Sequence, residues 1–589
     1  MSVLSRILDS STLNHPLLRR YTALIQEDLS ATYSRDIQKW LLVAPIIGVC
    51  TGLIITGLTV LLLTTIWGRL LPIYLSHHWM IIPGLLIGFL VTGLIMQFRT
   101  PNPDQHSTEE IIASYHEHHG DIDMKPFWWK LLAAITTVGC GGSAALEGPS
   151  IYGGGAIGSW LWTKLERFGL EPEDQRLMLI SGAAAGMAAV FRAPLTGLVF
   201  AIEMPYKDDL AHEALLPSLI ASVVSYATLA SIVGPEPLFA FSGSTSFTPI
   251  DLVWSAILGL GLGLITMVFT ITFRRVRALA IHALMPHTLK LVIGGLLTSL
   301  CGLLFVTIFP GNLVPLGPNY EAVRQVLTVP HRSSELVVFA FLKLCATLFS
   351  LGSGGVSAMF VPLFLTGGAL GNVFAQSIVH SRVFDLYAAV GMASFIAAGY
   401  KAPLTAVVFV AEVTGGHSFI IPSLIGAACA YAISGESSAS RDQRLHEAVK
   451  FSGTSGVPVR DVMQHQIISV QADETLRTFA ESTAAHPHSV FPVTDRDQFI
   501  GTVAVWDVNR VPAEKWESST IREIVNLDAV RVSGSCDVME ALRLLVQEDQ
   551  KQMLLVSGPD GSPQGIVTKT DILRSFRTPP RHNNRKPGS

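Results

Sequence analysis

The sequence predicts a polytopic α-helical membrane protein built on an internal repeat, followed by a pair of small α/β units outside the bilayer. Three observations carry this: long charge-free apolar stretches, a residue pattern that recurs within the apolar part, and a second, unrelated repeat in the polar C-terminal part. Of 589 residues, 49% are hydrophobic and only 15% charged, against roughly 25% charged in soluble domains. Mean hydropathy is +0.44, which excludes a wholly soluble or disordered chain. A net charge of −4 leaves no basic face for nucleic acid.

The apolar part is resolved into spans by charge and length. Leu41–Ile66 runs 26 residues without a charge, enough to cross a hydrocarbon core of about 30 Å. Further candidate spans lie near 80–97, 128–141, 176–203, 214–233, 252–272, 289–308, 335–351, 358–378, 387–412 and 419–434. Several are short or interrupted, as at Gly141-Gly142 and Gly352-Ser353-Gly354-Gly355. Broken helices persist at membrane depth where protein or a water-filled cavity covers them, which points to a channel or transporter interior.

Residues 1–35 form an N-terminal segment whose Arg6, Arg19, Arg20 and Arg35 precede the first span and favour a cytoplasmic N-terminus. No signal-peptide layout is present. Leu4, Ile7 and Leu8, then Tyr21, Leu24 and Ile25, have helical spacing and predict short helices before the membrane. The membrane domain is expected over 36–435, a polar linker over 436–455, soluble units over 456–513 and 514–577, and a disordered Pro-rich basic tail over 578–589. Six scattered cysteines without C-x-x-C indicate neither a metal site nor a disulfide framework.

The membrane repeat is explicit. Gly182–Glu203 reads GAAAGMAAVFRAPLTGLVFAIE, and Gly391–Glu412, 209 residues later, reads GMASFIAAGYKAPLTAVVFVAE. Upstream, Pro149 and the Gly154–Gly158 run correspond to Pro362 and Gly367–Gly371, 213 residues later. Such duplications commonly place the substrate site at the repeat interface, on the ends of discontinuous helices. The soluble repeat ends in GTVAVWDV (Gly501–Val508) and GIVTKTDI (Gly565–Ile572). Helices are expected at 475–484 and 538–547, and strands at 489–493, 499–505, 552–557 and 565–568, a β-α-β-β-α order.

Leu146-Glu147-Gly148-Pro149 before a Gly-rich helix, the duplicated A-P-L-T segments, and Gly352-Ser353-Gly354-Gly355 ahead of Phe360-Val361-Pro362 resemble the CLC chloride channel and transporter family over about 36–435. The C-terminal part resembles a tandem pair of CBS domains over about 456–577. The resemblance implies an inverted repeat, a homodimer with one pore per subunit, and passage of chloride or a similar small anion across the lipid bilayer. It also implies that Glu147 is the gate: the matching Glu occupies the anion path, moves aside and takes up a proton. A carboxylate in apolar surroundings costs about 2.5–3.5 kcal/mol at the bilayer centre, so a functional reason for Glu147 is expected. Its plainer role would be to cap a helix start at the interface. The anion is expected to meet backbone N–H groups at helix N-termini around Leu146–Gly148 and Met359–Val361, Phe360 included. Partial charges there allow binding and release.

Four departures from the family pattern stand out. The loop whose Ser contacts the anion corresponds to Asp104–Thr108, where Gln105 or Ser107 takes the role depending on alignment. The Tyr on the other side of the anion aligns with His417, which either donates to the anion or caps a helix end. Ser357-Ala358 replace a Gly pair, which puts close backbone approach there in doubt. The internal proton-pathway Glu of the exchangers aligns with Met204, next to Glu203, whose repeat mate Glu412 points to a structural role for both. These departures favour passive conduction. Asp208 and Asp209 are nearby acids in what reads as a solvated loop.

In the CBS pair, Thr568 and Asp571 keep the pattern that holds the ribose of an adenine nucleotide in related pairs, whereas Ala504 and Trp506 break it in the first unit. The pair therefore either binds nucleotide at one site or serves only as a dimerisation module. No cofactor is required, and no nucleophile–base set or metal cluster suggests an enzyme. Three functions stay open: a glutamate-gated anion pore, a proton-coupled chloride exchanger, and a nucleotide sensor whose membrane part no longer conducts. Compact loops place the protein in a bacterial plasma (inner) membrane with its CBS pair cytoplasmic.

Overall fold

The computed structural model describes residues 32–445 and 458–572, apart from 105–106, 169, 237, 239–246, 312, 330, 382–383, 415–416, 441, 466, 484–489, 497, 528–530, 548–552, 558–562 and 570. The helices expected at 4–25 and the tail over 578–589 lie outside the described residues. The chain divides into two units, Met1–Glu447 and Ala448–Ser589.

In the first unit, α1 (Thr32–Thr59) runs through a π-helical stretch (Val60–Trp67) into α2 (Gly68–Ser76), and α3 (Ile81–Arg99) follows. Short helices come next: α4 (Ser107–Glu117) and α5 (Phe127–Gly139). The Gly-rich pair α6 (Glu147–Leu165) and α7 (Pro172–Phe191) precedes α8 (Pro194–Glu203) and α9 (Leu215–Val233). The second half comprises α10 (Pro249–His282), α11 (His287–Ile308), α12 (Tyr320–Thr328), α13 (Ser333–Gly352), α14 (Phe360–Phe374), α15 (Phe384–Tyr400), α16 (Pro403–Thr414) and α17 (Ile420–Ile433). Among the described residues, seven helical segments are long and apolar enough to cross a membrane.

The stretches 176–203 and 387–412, expected as continuous spans, are each two helices. Arg192 and Lys401 adopt left-handed backbone, φ 54° and 58°, directly before Ala193-Pro194 and Ala402-Pro403. Proline cannot continue a helix and excludes the helical region for the residue before it. Each break therefore starts a new helix, α8 or α16, in the interior of the unit.

Glycine decides how the repeat packs. A Cβ on Gly154 would overlap the Gly182 carbonyl, and one on Gly182 the Gly154 carbonyl, so α6 and α7 touch backbone to backbone. Gly367 and Gly391 repeat that reciprocal contact between α14 and α15. Lipid tails are as apolar as the helix faces, so helices associate in a membrane through such close packing.

The polar segment after α17 is not a free linker at its start. Ala439 N–H donates to the Gly399 carbonyl at 2.7 Å, and Lys207 N–H to the Arg444 carbonyl at 2.8 Å. The Gln443 amide donates to the carbonyls of Met204 (2.9 Å) and Tyr400 (3.1 Å). Ala439 and Gln443 thus lie across the ends of α8 and α15, where free main-chain carbonyls need donors. Polar composition, read as linker from 436, reflects this capping duty.

The second unit holds two three-stranded sheets. Strands β1 (Val470–Gln471) and β2 (Val490–Asp495) pair parallel, and β2 pairs antiparallel with β3 (Gln498–Ala504). Strands β4 (Arg531–Ser533), β5 (Met553–Ser557) and β6 (Pro563–Thr568) repeat that topology. Helices α18 (Leu476–Thr483) and α20 (Val538–Gln547) follow the expected order, while the first closing helix, α19, is only Val505–Val508. Val459 is buried in the core of the second sheet, and Ile521 in that of the first. Gln464 and Ile566 exchange N–H···O bonds of 2.8 and 3.0 Å, so the units trade their leading segments.

Candidate anion pathway

Two irregular turns carry the site, one from each half. Gly141 and Gly354, 213 positions apart, have φ 111° and 109°, a region only glycine enters freely. Each turn is fastened to the opposite half: Ser143 N–H donates to Ser350 Oγ at 3.0 Å, and Val356 N–H donates to Thr137 Oγ1 at 3.3 Å. The turns then pair antiparallel at Ala145 and Ala358, with Ala145 N–H on the Ala358 carbonyl at 3.2 Å. The N-termini of α6 and α14 are thereby brought together.

Close backbone approach survives the loss of the Gly pair at Ser357-Ala358, because the facing residue at the start of α6 is a glycine. A Cβ on Gly148 would lie 2.8 Å from the Ser357 carbonyl carbon and 2.9 Å from Ala358 N. Ser357 itself uses its hydroxyl to donate to the Ala145 carbonyl.

Glu147 opens α6 and is 1% exposed. Its Oε1 accepts the N–H of Phe360, the first residue of α14, at 2.6 Å. Among the described residues its buried Oε2 has no hydrogen-bond partner. A carboxylate on a main-chain N–H at a helix start occupies an anion-binding position. Leu146, Gly148, Phe360 and Val361 are all buried around it, and Met359 is 5% exposed.

Met359 N–H is not vacant: it donates to Tyr400 Oη at 3.1 Å. The family's Tyr position falls on His417; the hydroxyl that meets this turn is that of Tyr400. A signal was present, since Tyr400 precedes the second K-A-P-L-T as Phe191 precedes R-A-P-L-T. His417 starts a single 3-10 turn, His417–Phe419, and its side chain lies outside the described residues, as does Gln105. Ser107 is buried at the start of α4 with φ 61°. It lines a cavity of about 40 Å³ with Glu109, Arg277, Ser357, Met359 and Tyr400, room for a few waters. Arg277 donates to Glu109 Oε2 at 3.1 Å and to the Asp104 carbonyl at 3.1 Å, so a partly buried ion pair borders this cavity.

Glu203 and Glu412 are structural, and reciprocally so. Glu203 Oε1 accepts Leu404 N–H (3.1 Å), and its Oε2 accepts the N–H (2.9 Å) and hydroxyl (2.5 Å) of Thr405. Glu412 does the same for Leu195 N–H (3.0 Å) and the N–H (2.8 Å) and hydroxyl (2.6 Å) of Thr196. Each acid at the end of one A-P-L-T helix caps the start of the other. Glu203→Ala strands two main-chain donors and a hydroxyl at about 1–3 kcal/mol per unsatisfied group. A loss of about 3 kcal/mol or more, read as a lowered Tm in detergent, is expected, with a smaller loss for Glu203→Gln. Unchanged Tm with altered proton movement would make Glu203 functional instead. Met204 is buried at 2% exposure and carries no exchangeable proton.

In the second unit, Thr568 and Asp571 do meet. Asp571 Oδ2 accepts the N–H (3.0 Å) and hydroxyl (2.6 Å) of Thr568, and its Oδ1 accepts the Gln464 amide at 2.6 Å. Both carboxylate oxygens are engaged within the fold.

The sequence missed Lys343. This lysine lies fully buried on α13, donating to the carbonyls of Pro315 (3.3 Å) and Gly317 (3.2 Å). A lone lysine within a twenty-residue apolar helix was the available signal.

Residues 84–435 match the family model described as voltage gated chloride channel, and 459–514 and 521–578 match the CBS domain model. The H(+)/Cl(-) exchange transporter ClcA of Yersinia pestis bv. Antiqua (strain Angola) is 29% identical over 318 residues, 51% of this chain and 65% of that protein. Its namesake in Klebsiella pneumoniae is 28% identical over 316 residues, 51% of this chain and 64% of that protein. The chain thus spans slightly less than two thirds of these relatives. Among solved structures, a CLC-type fluoride/proton antiporter superposes with a TM-score of 0.60 at 22% identity, covering 69% of this chain and 98% of that one. A eukaryotic CLC transporter gives 0.58 at 17% identity, covering 91% and 98%. These likenesses establish the fold. With the family model covering well over half the chain and two helix N-termini converging on a buried glutamate, this protein belongs to the CLC family of anion-transport proteins and carries a C-terminal CBS pair.

Proposed function

We propose that the protein moves chloride or a similar small anion through a path in each subunit of a homodimer, with Glu147 as the gate. One observation carries this reading: the Glu147 carboxylate sits on the Phe360 N–H, where a permeating anion would bind. Departure of that carboxylate leaves a main-chain donor at a helix N-terminus, which attracts an anion without the grip of a direct cation contact.

Proton coupling is the second reading, favoured by the exchange activity named for the Yersinia and Klebsiella relatives. Under it, protons cross the inner half of the path by a group other than Met204 or the capping acid Glu203. Chloride efflux from proteoliposomes, with proton movement recorded simultaneously, separates the two readings. Chloride movement without uphill proton pumping marks passive conduction, and stoichiometric pumping marks exchange. Absence of any anion flux would overturn both.

We further propose a bacterial plasma membrane location, a cytoplasmic CBS pair, and regulation by an adenine nucleotide near Thr568 and Asp571. Because Asp571 is already engaged by Thr568 and Gln464, ribose must compete with those bonds. Asp571→Ala is expected to abolish calorimetric ATP binding and to lower the Tm of the protein. Loss of Tm with no ATP binding in the wild type would leave Asp571 a turn-closing residue.

A further inference from the structure

Lys343 has no carboxylate within salt-bridge reach among the described residues. Its Nζ is fully buried, and the acceptors it has are two neutral carbonyls, Pro315 and Gly317. A cation so placed is costly unless another charge balances it. The hydrogen bonds around it lead to one buried acid. One turn further along α13, Thr347 Oγ1 contacts Ser143 Oγ at 2.9 Å, and Ser350 Oγ accepts Ser143 N–H at 3.0 Å. Gly317 N–H donates to the Gly141 carbonyl at 2.8 Å. Both the helix of Lys343 and the loop it grips are therefore fastened to the 141–146 turn that presents Glu147. Glu147 follows that turn directly and is itself buried, and among the described residues its Oε2 has no hydrogen-bond partner.

We propose that Lys343 is the fixed counter-charge of the anion path, balanced by the Glu147 carboxylate when the gate is closed and by the transported anion when the carboxylate leaves. The proposal rests on the anion-path reading above and adds a specificity-determining cation to it. Two of its three N–H bonds are spent on carbonyls, so Lys343 supplies a field more than a clasp, consistent with rapid release. It also sets the order of events. Opening without an anion leaves the buried ammonium unbalanced, so carboxylate departure and anion entry are coupled.

The test compares Lys343→Gln, Lys343→Arg and wild type in proteoliposomes, varying chloride against gluconate. Gln keeps a neutral N–H donor one bond shorter than the ammonium, so it can retain a loop-holding bond but loses the charge. The expected result is a rise of about tenfold in half-saturating chloride for Lys343→Gln, with a smaller change in maximal rate; buried charge pairs have coupling energies of that order or more. Lys343→Arg should stay within about twofold of wild type, since it keeps the charge. Wild-type half-saturation in Lys343→Gln overturns the proposal. Absence of flux in the wild type itself would instead overturn the anion-path reading.

Should Lys343→Gln not fold, Glu147→Gln with Lys343 intact decides. With its built-in counter-ion neutralised, this variant is expected to gain more Tm than wild type on replacing gluconate with chloride, because the bound anion now carries the balance. Equal chloride dependence in the two proteins overturns the proposal.

Discussion

Glu147→Gln is expected to give anion flux that is high at neutral pH and flat across the acidic range, whereas wild-type flux rises as pH falls. The physical cause is the bond between Glu147 Oε1 and Phe360 N–H, 2.6 Å long in a site closed to water. A charged acceptor makes such a bond worth about 1.5–3 kcal/mol, or about ten- to a hundredfold in how often the N–H is free for an anion. Protonation removes that advantage in the wild type, and glutamine imitates the protonated form permanently. In an exchanger the same variant is also expected to uncouple proton movement, because the acid seated on the Phe360 N–H is gone. Flux that keeps its pH dependence in Glu147→Gln would assign the gate to another group.

The second large effect is on folding. Gly182→Ala is expected to abolish monodisperse, folded protein in detergent, and Gly391→Ala to do the same from the other half. In each case the new methyl overlaps a main-chain carbonyl of the crossing helix, Gly154 or Gly367. Overpacking against movable side chains costs about 1–3 kcal/mol. Two helix backbones held on both sides cannot yield as easily, and the cost should exceed that range. Gly261→Ala on α10 is the control: nothing lies within 4 Å of the added Cβ. There the gain in helix propensity, about 1 kcal/mol, should leave Tm unchanged or raised. Equal behaviour of Gly182→Ala and Gly261→Ala would remove the close crossing as the basis of the fold.

Much of this architecture was legible in the residues because the repeat is written twice. Matched Gly, Pro and Glu positions announced the duplicated helices, and the reciprocal caps of Glu203 and Glu412 follow from the same spacing. Glu147 was legible for a different reason: an acid beside a Gly-Pro helix start in apolar sequence has few structural uses. Tyr400 and Lys343 were harder to see. An aromatic or a long cation on an apolar helix has the same local pattern whether it packs in a core, faces lipid or lines a path.

By itself, the sequence determined most of the long apolar helices and that two halves share one plan. Those properties depend on local backbone sterics and on charge cost in lipid, both of which act residue by residue. The tertiary structure alone decided that Gly148 restores the approach lost at Ser357-Ala358, that Ala439 and Gln443 cap the membrane helices, and that the CBS units exchange Val459 and Ile521. It also decided that the Tyr400 hydroxyl meets Met359 N–H and that Lys343 is buried on the Pro315 and Gly317 carbonyls. Each of these is a contact between residues far apart in the chain, selected by shape and by the need of buried polar groups for partners. No periodicity or motif encodes that selection, because the partner of a buried group is fixed only when the helices have closed around it.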